Sequence, residues 1–477
     1  MNRRIKNLAE LLIILTIDLV VLMGLYKVSV LIRVEVLPKL YSGFPEFTQW
    51  SVRDVWWIFF VWIFFMYYEG LYTRRFSLWD EAYAIIKVVA FSSVGVFTII
   101  SLGKLSTEIS RTSVVLMGFT GLFVLPPLRM AAKGVLRNFG LFSTKVLILG
   151  AGKTGRMILK TFRDETNYGY KVVGFLDDDP KKSGTSIEGI KVHRGVDRAH
   201  RYLSRANIAD IIIAMPGARK ERLQELMTMY QHKVDTLLFA PDVFGLAVAG
   251  TRLIHFFEDQ TFVFEMKNNL ARPLNVFIKR AFDYLVGVSL MALLAVPLAV
   301  IAILIRLDSK GPAIYRQTRS GKDGKLFTCF KFRTMHRDAD ERLRDILEND
   351  ASAREQWQEK FKLTSDPRIT RIGRFLRSTS LDELPQIFNV INGTMSLVGP
   401  RPVTTKEIEL YYKEHANLCF CVLPGITGLW QVSGRSNTSY EYRIVLDSWY
   451  VRNWNLWLDI VILIKTIGVV VKREGAC

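Results

Sequence analysis

Cysteine and histidine are scarce. Four cysteines (Cys329, Cys419, Cys421 and Cys477) are scattered through 477 residues without the spacing of a disulfide framework, and six histidines form no zinc pattern. A disulfide-stapled secreted domain and a structural zinc centre are therefore excluded readings. Cys419-Phe420-Cys421 would place both thiols on one face of a strand, and the cysteines read as small apolar residues in a reducing compartment. Acid is also in deficit, with 45 Asp and Glu against 64 Lys and Arg, a net charge of +19. That excess implies an anionic partner: lipid headgroups, phosphorylated metabolites or nucleic acid. No cleavable signal peptide is expected, because the first apolar run is too long and lacks a small-residue cleavage site.

Half of the chain is hydrophobic while 23% is charged, which suggests a membrane part joined to a water-facing part. Four apolar runs fill residues 1–132, at 11–31, 55–71, 83–102 and 113–128, each near the ~20 residues needed to cross a bilayer. Asp18 interrupts the first and should face neighbouring helices rather than lipid. Trp50, Trp56, Trp57, Tyr67, Tyr68 and Tyr72 gather at the ends of the second, as an aromatic belt would. Arg3, Arg4, Lys6, Arg74, Arg75, Arg129, Lys133 and Arg137 flank the runs so that both ends of a four-span bundle should face the cytoplasm. Arg33, Lys39, Lys104 and Arg111 in the presumed outer loops weaken that bias, and Pro126-Pro127 should break the fourth helix near its exit.

From residue 144 to about 265 the pattern changes to alternating short strands and helices. Lys145–Leu149 reads as a buried strand leading into Gly150-Ala151-Gly152-Lys153-Thr154-Gly155 and a helix. Further strands are expected at 170–176, 209–215 and 234–239. This is a Rossmann-like α/β pattern with G-x-G-x-x-G in its strand–turn–helix context. Gly150, Gly152, Gly155 and Asp177, where a ribose-binding acid would fall, make a candidate nucleotide site. The alternative is a degenerate unit kept for assembly or regulation, for instance pairing chains into a homo-oligomer. No Tyr-x-x-x-Lys dyad follows, so an NAD-dependent epimerase or dehydratase is the weaker enzyme reading.

A second hydrophobic element, Leu285–Ile305, carries no charge. Lys279 and Arg280 precede it and Arg306, Lys310 and Arg316 follow, so neither flank is the preferred outside. Pro297 near its middle would remove a backbone hydrogen bond. A re-entrant helix over about residues 276–306, broken at Pro297, satisfies both points. Downstream, Ser380 and Glu383 have capping-box spacing around Asp382, Pro385 suits a first helical turn, and Arg368, Arg371, Arg374 and Arg377 crowd the approach. The window alone fits either a capped surface helix or an acidic pair holding a metal-bound diphosphate.

Six motifs follow one another in the last 200 residues: Gly311–Gln317, Lys331-Phe332-Arg333-Thr334-Met335, Asp366–Thr370, Ser380–Gln386, Met395–Pro402 and Pro424–Arg435. In this order they resemble the bacterial polyprenyl-phosphate phosphoglycosyl transferases of the large monotopic type. Within that family the likeness runs to the undecaprenyl-phosphate galactose phosphotransferases, on Asn349-Asp350, Trp357–Lys362, Gly428–Gln431 and Ser448–Val451. The resemblance implies a membrane protein with a four-helix transmembrane bundle, a Rossmann-like middle domain and a monotopic, α-rich catalytic domain over 275–477. It implies transfer of a sugar 1-phosphate, galactose before glucose, from a UDP-sugar to undecaprenyl phosphate with release of UMP.

Asp382 then maps to the nucleophile that carries the phosphosugar, and Glu383 to the ligand of Mg2+, which the acid pair would share. Lys331, Arg333, Arg377, Arg401 and Arg435 would surround the phosphates, and Thr427 and Gly428 would form a tight turn approaching the nucleotide. Partners expected are UDP-sugar, undecaprenyl phosphate and membrane lipid, with no nucleic acid. The implied location is the bacterial inner membrane, multi-pass, with the catalytic domain on the cytoplasmic face. Val296-Pro297 departs from the Ser-Pro that the family often has at the helix break. Trp449, Trp454 and Trp457 precede an apolar run broken by Asp459 and Lys465, which should lie in the interface.

Overall fold

A computed structural model describes residues 3–41, 55–105, 109–206, 208–242, 251–256, 261–265, 268–350, 354, 366–434 and 439–472. The chain divides into two compact units, residues 1–242 and 243–477.

The first unit opens with four apolar helices: α1 (Arg3–Leu31), α2 (Trp56–Tyr68), α3 (Leu78–Leu102) and α4 (Arg111–Asn138). Leu22, Tyr26, Ile58, Trp62, Ile85, Val88 and Met117 are buried between them. Helices α1, α3 and α4 are long and apolar enough to cross a membrane, whereas α2 has 13 residues. Thirteen residues rise only about 20 Å, less than a hydrocarbon core of ~30 Å. The run ends early because the chain turns at Gly70, which has φ +80°. Pro126 and Pro127 do not break α4, which stays helical for eleven residues beyond Pro127. Two prolines remove only two main-chain donors, and their fixed φ is already helical. Arg33 and Lys39, expected in a loop, lie on helical turns that continue α1.

Charge inside the bundle is paired. Asp18 is buried and bonds to Arg129 and to the Tyr72 hydroxyl (2.9 Å). Arg129 Nε also meets Glu81 Oε1 at 3.0 Å, its Nη2 donates to the Leu71 carbonyl at 2.9 Å, and Lys133 reaches Glu81 at 2.5 Å. Tyr72, Arg129 and Lys133 thus turn inward rather than marking an aromatic belt or a basic flank. A charge at that depth is tolerable only with a partner, and α1, α3 and α4 each supply one.

The same unit carries a six-stranded sheet in the order β3-β4-β2-β1-β5-β6. Its strands are β1 (Thr144–Leu149), β2 (Tyr170–Asp177), β3 (Ser186–Ile187), β4 (Ile190–Arg194), β5 (Asp210–Ile213) and β6 (Thr236–Phe239). All pairs are parallel except β3 with β4. Helices α5 (Lys153–Asp164), α6 (Ala199–Ala206) and α7 (Lys220–Tyr230) make the crossovers. Val146, Ile148, Leu147 and Leu149 are buried on both faces of β1, which is why that strand reads as an unbroken apolar run. With β1 central and the order reversing beside it, the sheet is Rossmann-like. Asn167 links it to the bundle by donating to Glu81 Oε2 (2.7 Å), and Lys6 Nζ donates to the Ser143 carbonyl (2.9 Å).

The second unit begins with an antiparallel hairpin, β7 (Arg252–Phe256) and β8 (Thr261–Glu265). A 36-residue helix, α8 (Pro273–Asp308), follows and is the fourth helix with the length and hydropathy of a membrane span. The expected break at Pro297 is not a break in the helix, because residues on both sides stay helical. Leu285, Leu293 and Val296 stand exposed, while Lys279, Asp283 and Gly287 are buried. Beyond α8 come the hairpin β9 (Ile314–Ser320) and β10 (Leu326–Phe332), α9 (Ala339–Asn349), α10 (Arg371–Thr379) and α11 (Ile387–Asn392). The parallel pair β11 (Ser396–Val398) and β12 (Gly425–Thr427), α12 (Tyr440–Asn453) and α13 (Leu456–Lys472) complete the unit.

Buried polar groups fasten α8 to this body. Asp283 accepts from Ser396 Oγ (2.7 Å) and Leu397 N (3.1 Å). Lys279 Nζ meets Asp459 Oδ2 at 2.7 Å and the Val398 carbonyl at 3.0 Å. Tyr450 (2.7 Å) and Trp454 (3.0 Å) also donate to Asp459. Asp459 and Trp454 are therefore interior anchors of α13 rather than groups of a water–lipid interface. The Cys419–Cys421 stretch is not a strand either: Cys419 ends a short helix, Ala416–Cys419, and is buried, whereas Cys421 is exposed.

Candidate active site

The acidic pair is presented by a tight, well-supported turn. Helix α10 starts under a Thr370 cap, whose Oγ1 accepts from Gly373 N at 2.9 Å, and the Ile372 amide donates to Asp308 Oδ2 at 3.1 Å. Gly373 lies against the main chain of Thr334, and a Cβ there would stand 2.7 Å from the Thr334 carbonyl carbon. The helix ends at Ser380 in the left-handed region (φ +56°), and a single 3-10 segment, Leu381–Gln386, carries Asp382 and Glu383 into α11. The expected capping box is absent because Ser380 closes α10 rather than opening the next helix, and its side chain makes no cap bond. Pro385 lies within the 3-10 segment, ahead of α11. A capping box does form at Thr404 and Glu407.

The strand β10 supplies the facing cation. Lys331 Nζ meets Glu383 Oε1 at 2.7 Å, and Arg401 Nη2 stands 3.9 Å from the same oxygen. Arg401 also lies over the Trp430 ring, 5.7 Å from its centroid, with Arg443 4.7 Å from that centroid. Among the described residues Asp382 has no ion pair or side-chain hydrogen bond. Burial and the neighbouring Glu383 charge push its carboxyl above the ordinary carboxylate range, against the pull of Lys331 and Arg377. Arg377 holds its place through Nε to Thr334 Oγ1 (2.9 Å). So Lys331, Arg377, Arg401, Asp382 and Glu383 do converge. The two acids differ: Glu383 is fastened by a cation, and Asp382 is not.

Other expected phosphate ligands are placed elsewhere. Arg333 is buried and caps the C-terminal end of α8, donating to the Ser309 carbonyl (2.7 Å), Ser309 Oγ (2.8 Å) and the Lys310 carbonyl (3.1 Å). Carbonyls left open at a helix end need donors, and this guanidinium supplies them. Arg368 is closed in a forked pair with Asp366 (2.8 and 2.7 Å). Thr427 is in strand β12 rather than a turn, and its hydroxyl meets Thr466 Oγ1 at 2.8 Å. At Gly428 a Cβ would stand 2.5 Å from the Gly399 carbonyl oxygen. That glycine lets two stretches of this chain approach each other and so brings the Arg401 loop beside β12. Arg435 and Trp357–Lys362 lie outside the described residues.

Two acids and no cluster of three or more His, Cys, Asp or Glu groups occur here among the described residues. That donor set fits Mg2+, which keeps several waters and shares substrate phosphate oxygens, and does not fit a closed zinc or calcium cage. Arg443 and the buried Asp447 were not legible as site neighbours. They sit on α12, just ahead of the Ser448–Val451 motif, and an acid set among aromatic residues was a usable signal. Asp447 accepts from the Tyr412 hydroxyl at 3.2 Å, and the Arg401 main chain lies beside it.

In the sheet domain Gly150 has φ +106°, and a Cβ there would stand 2.6 Å from the Ala214 carbonyl oxygen. Gly155 likewise abuts the Gly150 carbonyl, while Gly152 is open. Asp177 is occupied by its own chain: it accepts from Ala151 N (2.8 Å), Asp179 N (2.9 Å) and Lys182 (3.1 Å). Burial works against the charge, but these donors outweigh it and hold the carboxyl below its usual range. An open pocket of about 380 Å3 beside the loop is lined by Lys153, Arg156, Lys160 and Lys182 together with Met157 and Glu188.

Residues 274–473 match the model of the bacterial sugar transferase family, and residues 67–241 match that of a CoA-binding domain. The UDP-galactose-lipid carrier transferase of Erwinia amylovora is 37% identical over 406 residues, covering 85% of this chain and 84% of that protein. The undecaprenyl-phosphate galactose phosphotransferase of Salmonella typhimurium is 36% identical with the same coverage. The UDP-glucose:undecaprenyl-phosphate glucose-1-phosphate transferase of Escherichia coli is 34% identical over 342 residues, 70% of this chain and 69% of its own.

Proposed function

This chain belongs to the bacterial sugar transferase family and is a membrane-associated phosphoglycosyl transferase; from that premise we propose that it transfers galactose 1-phosphate from UDP-galactose to undecaprenyl phosphate. The observation that carries the residue roles is the asymmetry of the acid pair. A carboxylate already paired with Lys331 is a poor nucleophile, whereas Asp382 beside it makes no ion pair and no bond to another side chain among the described residues.

In the proposed reaction an Asp382 oxygen attacks the sugar-bearing phosphorus of the UDP-sugar. The P–O bond to UMP breaks, and UMP leaves with that electron pair. An undecaprenyl phosphate oxygen then attacks the same phosphorus, forming the lipid diphosphosugar and returning Asp382. Arg401 and Arg377 lie where they can balance phosphate charge, and Lys331 orients Glu383. Asp382 and Glu383 would hold Mg2+, which when bound offsets the negative charge that otherwise repels a carboxylate from a diphosphate.

We further propose that the catalytic unit works on the cytoplasmic face of the inner membrane, with α8 re-entering one leaflet rather than crossing. Support comes from basic residues at both ends of α8 and from its exposed apolar flank. Its buried Lys279 and Asp283 and its Arg333-capped end fix both of its termini to the same folded body.

A UMP-release assay on UDP-galactose, UDP-glucose and their N-acetylated counterparts, with magnesium and then with chelator, tests this reading. Galactose preference and loss of release on chelation are expected. Release from UDP-glucose alone would overturn the sugar, and release unaffected by chelator would overturn the metal.

A further inference from the structure

We propose that Asn389 is a positioning residue for the transfer reaction: its side-chain amide fixes the strand that carries Lys331 and so sets where Lys331 meets Glu383. The inference rests on the reading of Lys331 and the acid pair given above, and adds a residue that touches neither acid.

Strand β10 has only one strand partner. It pairs with β9 along its length, Leu326 opposite Ser320 through Phe332 opposite Ile314, and no third strand joins the sheet among the described residues. On the other edge, Thr328 offers a carbonyl and Phe330 an N–H. Groups two residues apart share an edge, so both face the same way. Buried, they would each lose a hydrogen bond. Asn389 satisfies both: its Oδ1 accepts from Phe330 N at 3.0 Å, and its Nδ2 donates to the Thr328 carbonyl at 2.7 Å. A carboxamide carries an acceptor and a donor in the same arrangement as a peptide group, so it replaces one residue of the missing strand. An aspartate would set oxygen against the Thr328 carbonyl, and alanine would leave both groups orphaned.

The amide is itself immobilised. Asn389 is 1% exposed, Nδ2 also reaches Thr394 Oγ1 at 3.0 Å, and its carbonyl accepts from Thr394 N and Met395 N. Its helix, α11, continues directly from the 3-10 segment that bears Asp382 and Glu383. Lys331 is the residue after Phe330. Cys329, on the same face of β10 as Lys331, is packed with Val390 and Met395. Both ends of the Lys331–Glu383 pair thus belong to one clamped assembly, six residues of chain on the acid side and one on the cation side. Asparagine is a middling helix former, and here its shape rather than its propensity suits the position.

The test is a double-mutant cycle on the full-length protein in lipid nanodiscs, scoring kcat/KM for UMP release and the melting temperature. Lys331→Ala, Asn389→Ala and the double variant are compared with wild type. If Asn389 acts through Lys331, each single change lowers kcat/KM by about tenfold or more, and the double variant is no worse than Lys331→Ala within about twofold. A merely structural asparagine gives losses that multiply, and that result would overturn the proposal. Full activity in Lys331→Ala would remove the premise and the proposal with it, a failure distinct from multiplying losses. Should Asn389→Ala not fold, Asn389→Asp goes through the same cycle; it keeps the Phe330 bond and the side-chain volume.

Discussion

Asp447 offers a pH dependence that can be worked through from the structure. Its carboxyl is fully enclosed on α12, with Tyr412, Arg401 and Arg443 near it, the Tyr450 side chain on the same helix and the Cys419 side chain on an adjoining one. Burial raises its pKa to about 8 from 3.8, and the Tyr412 hydroxyl and the two arginines only partly offset that. The folded protein therefore binds this proton more tightly than the unfolded chain. Between the two values the folded state holds more protons, so the contribution of this group to stability is greatest below pH 4 and falls as pH rises to about 8. At about 1.36 kcal/mol per pH unit, the loss over that window is no more than roughly 6 kcal/mol.

The substitution Asp447→Asn would keep an acceptor for Tyr412 and titrate nothing. The assay is the melting temperature of wild type and of this variant, purified in detergent, from about pH 5 to pH 9. The difference curve isolates the one group: the variant should gain on wild type as pH rises and level off above pH 8. Parallel curves would refute the reasoning.

Two further pairs of substitutions follow from close packing and charge. Gly373→Ala drives a methyl into the Thr334 main chain and should cost about 1–3 kcal/mol and at least tenfold in UMP release, whereas Gly468→Ala, with open space around it, should cost neither. Arg129→Met removes the group that joins Asp18, Glu81 and the Leu71 carbonyl and should lower stability by about 3–5 kcal/mol in thermal melts. Arg129→Lys should not restore it, since one ammonium cannot span three acceptors held by a planar fork.

Much of the fold could be read from the chain because its signals were local. The apolar run Lys145–Leu149 followed by the glycine turn specifies the central parallel strand, and a lone Asp18 in an apolar helix demands a buried partner. The partner itself is 111 residues away, and nothing local distinguishes Arg129 from an ordinary basic flank. The acid pair stood out locally as a charged window, while its role and the placing of Lys331 and Arg401 beside it came through the family resemblance. Arg333 was not legible, although it follows Lys331 by two residues. Its direction is decided by the end of α8 and by Gly311, which has φ +128° and no side chain to fill the guanidinium's space. Ser380 misled for a related reason: capping-box spacing describes a helix start, and only the fold reveals that α10 ends there. Asn389 carries no signal outside the strand edge that it completes.

The central claim is that Asp382 takes the phosphosugar covalently. Purified enzyme incubated with a UDP-sugar radiolabelled in the sugar-bearing phosphate, with magnesium and without undecaprenyl phosphate, should retain label on the protein and release UMP in equal amount. Asp382→Asn should retain none, and added undecaprenyl phosphate should chase the label from wild type into lipid. Wild-type turnover without a labelled protein, or label that persists in Asp382→Asn, would contradict the account.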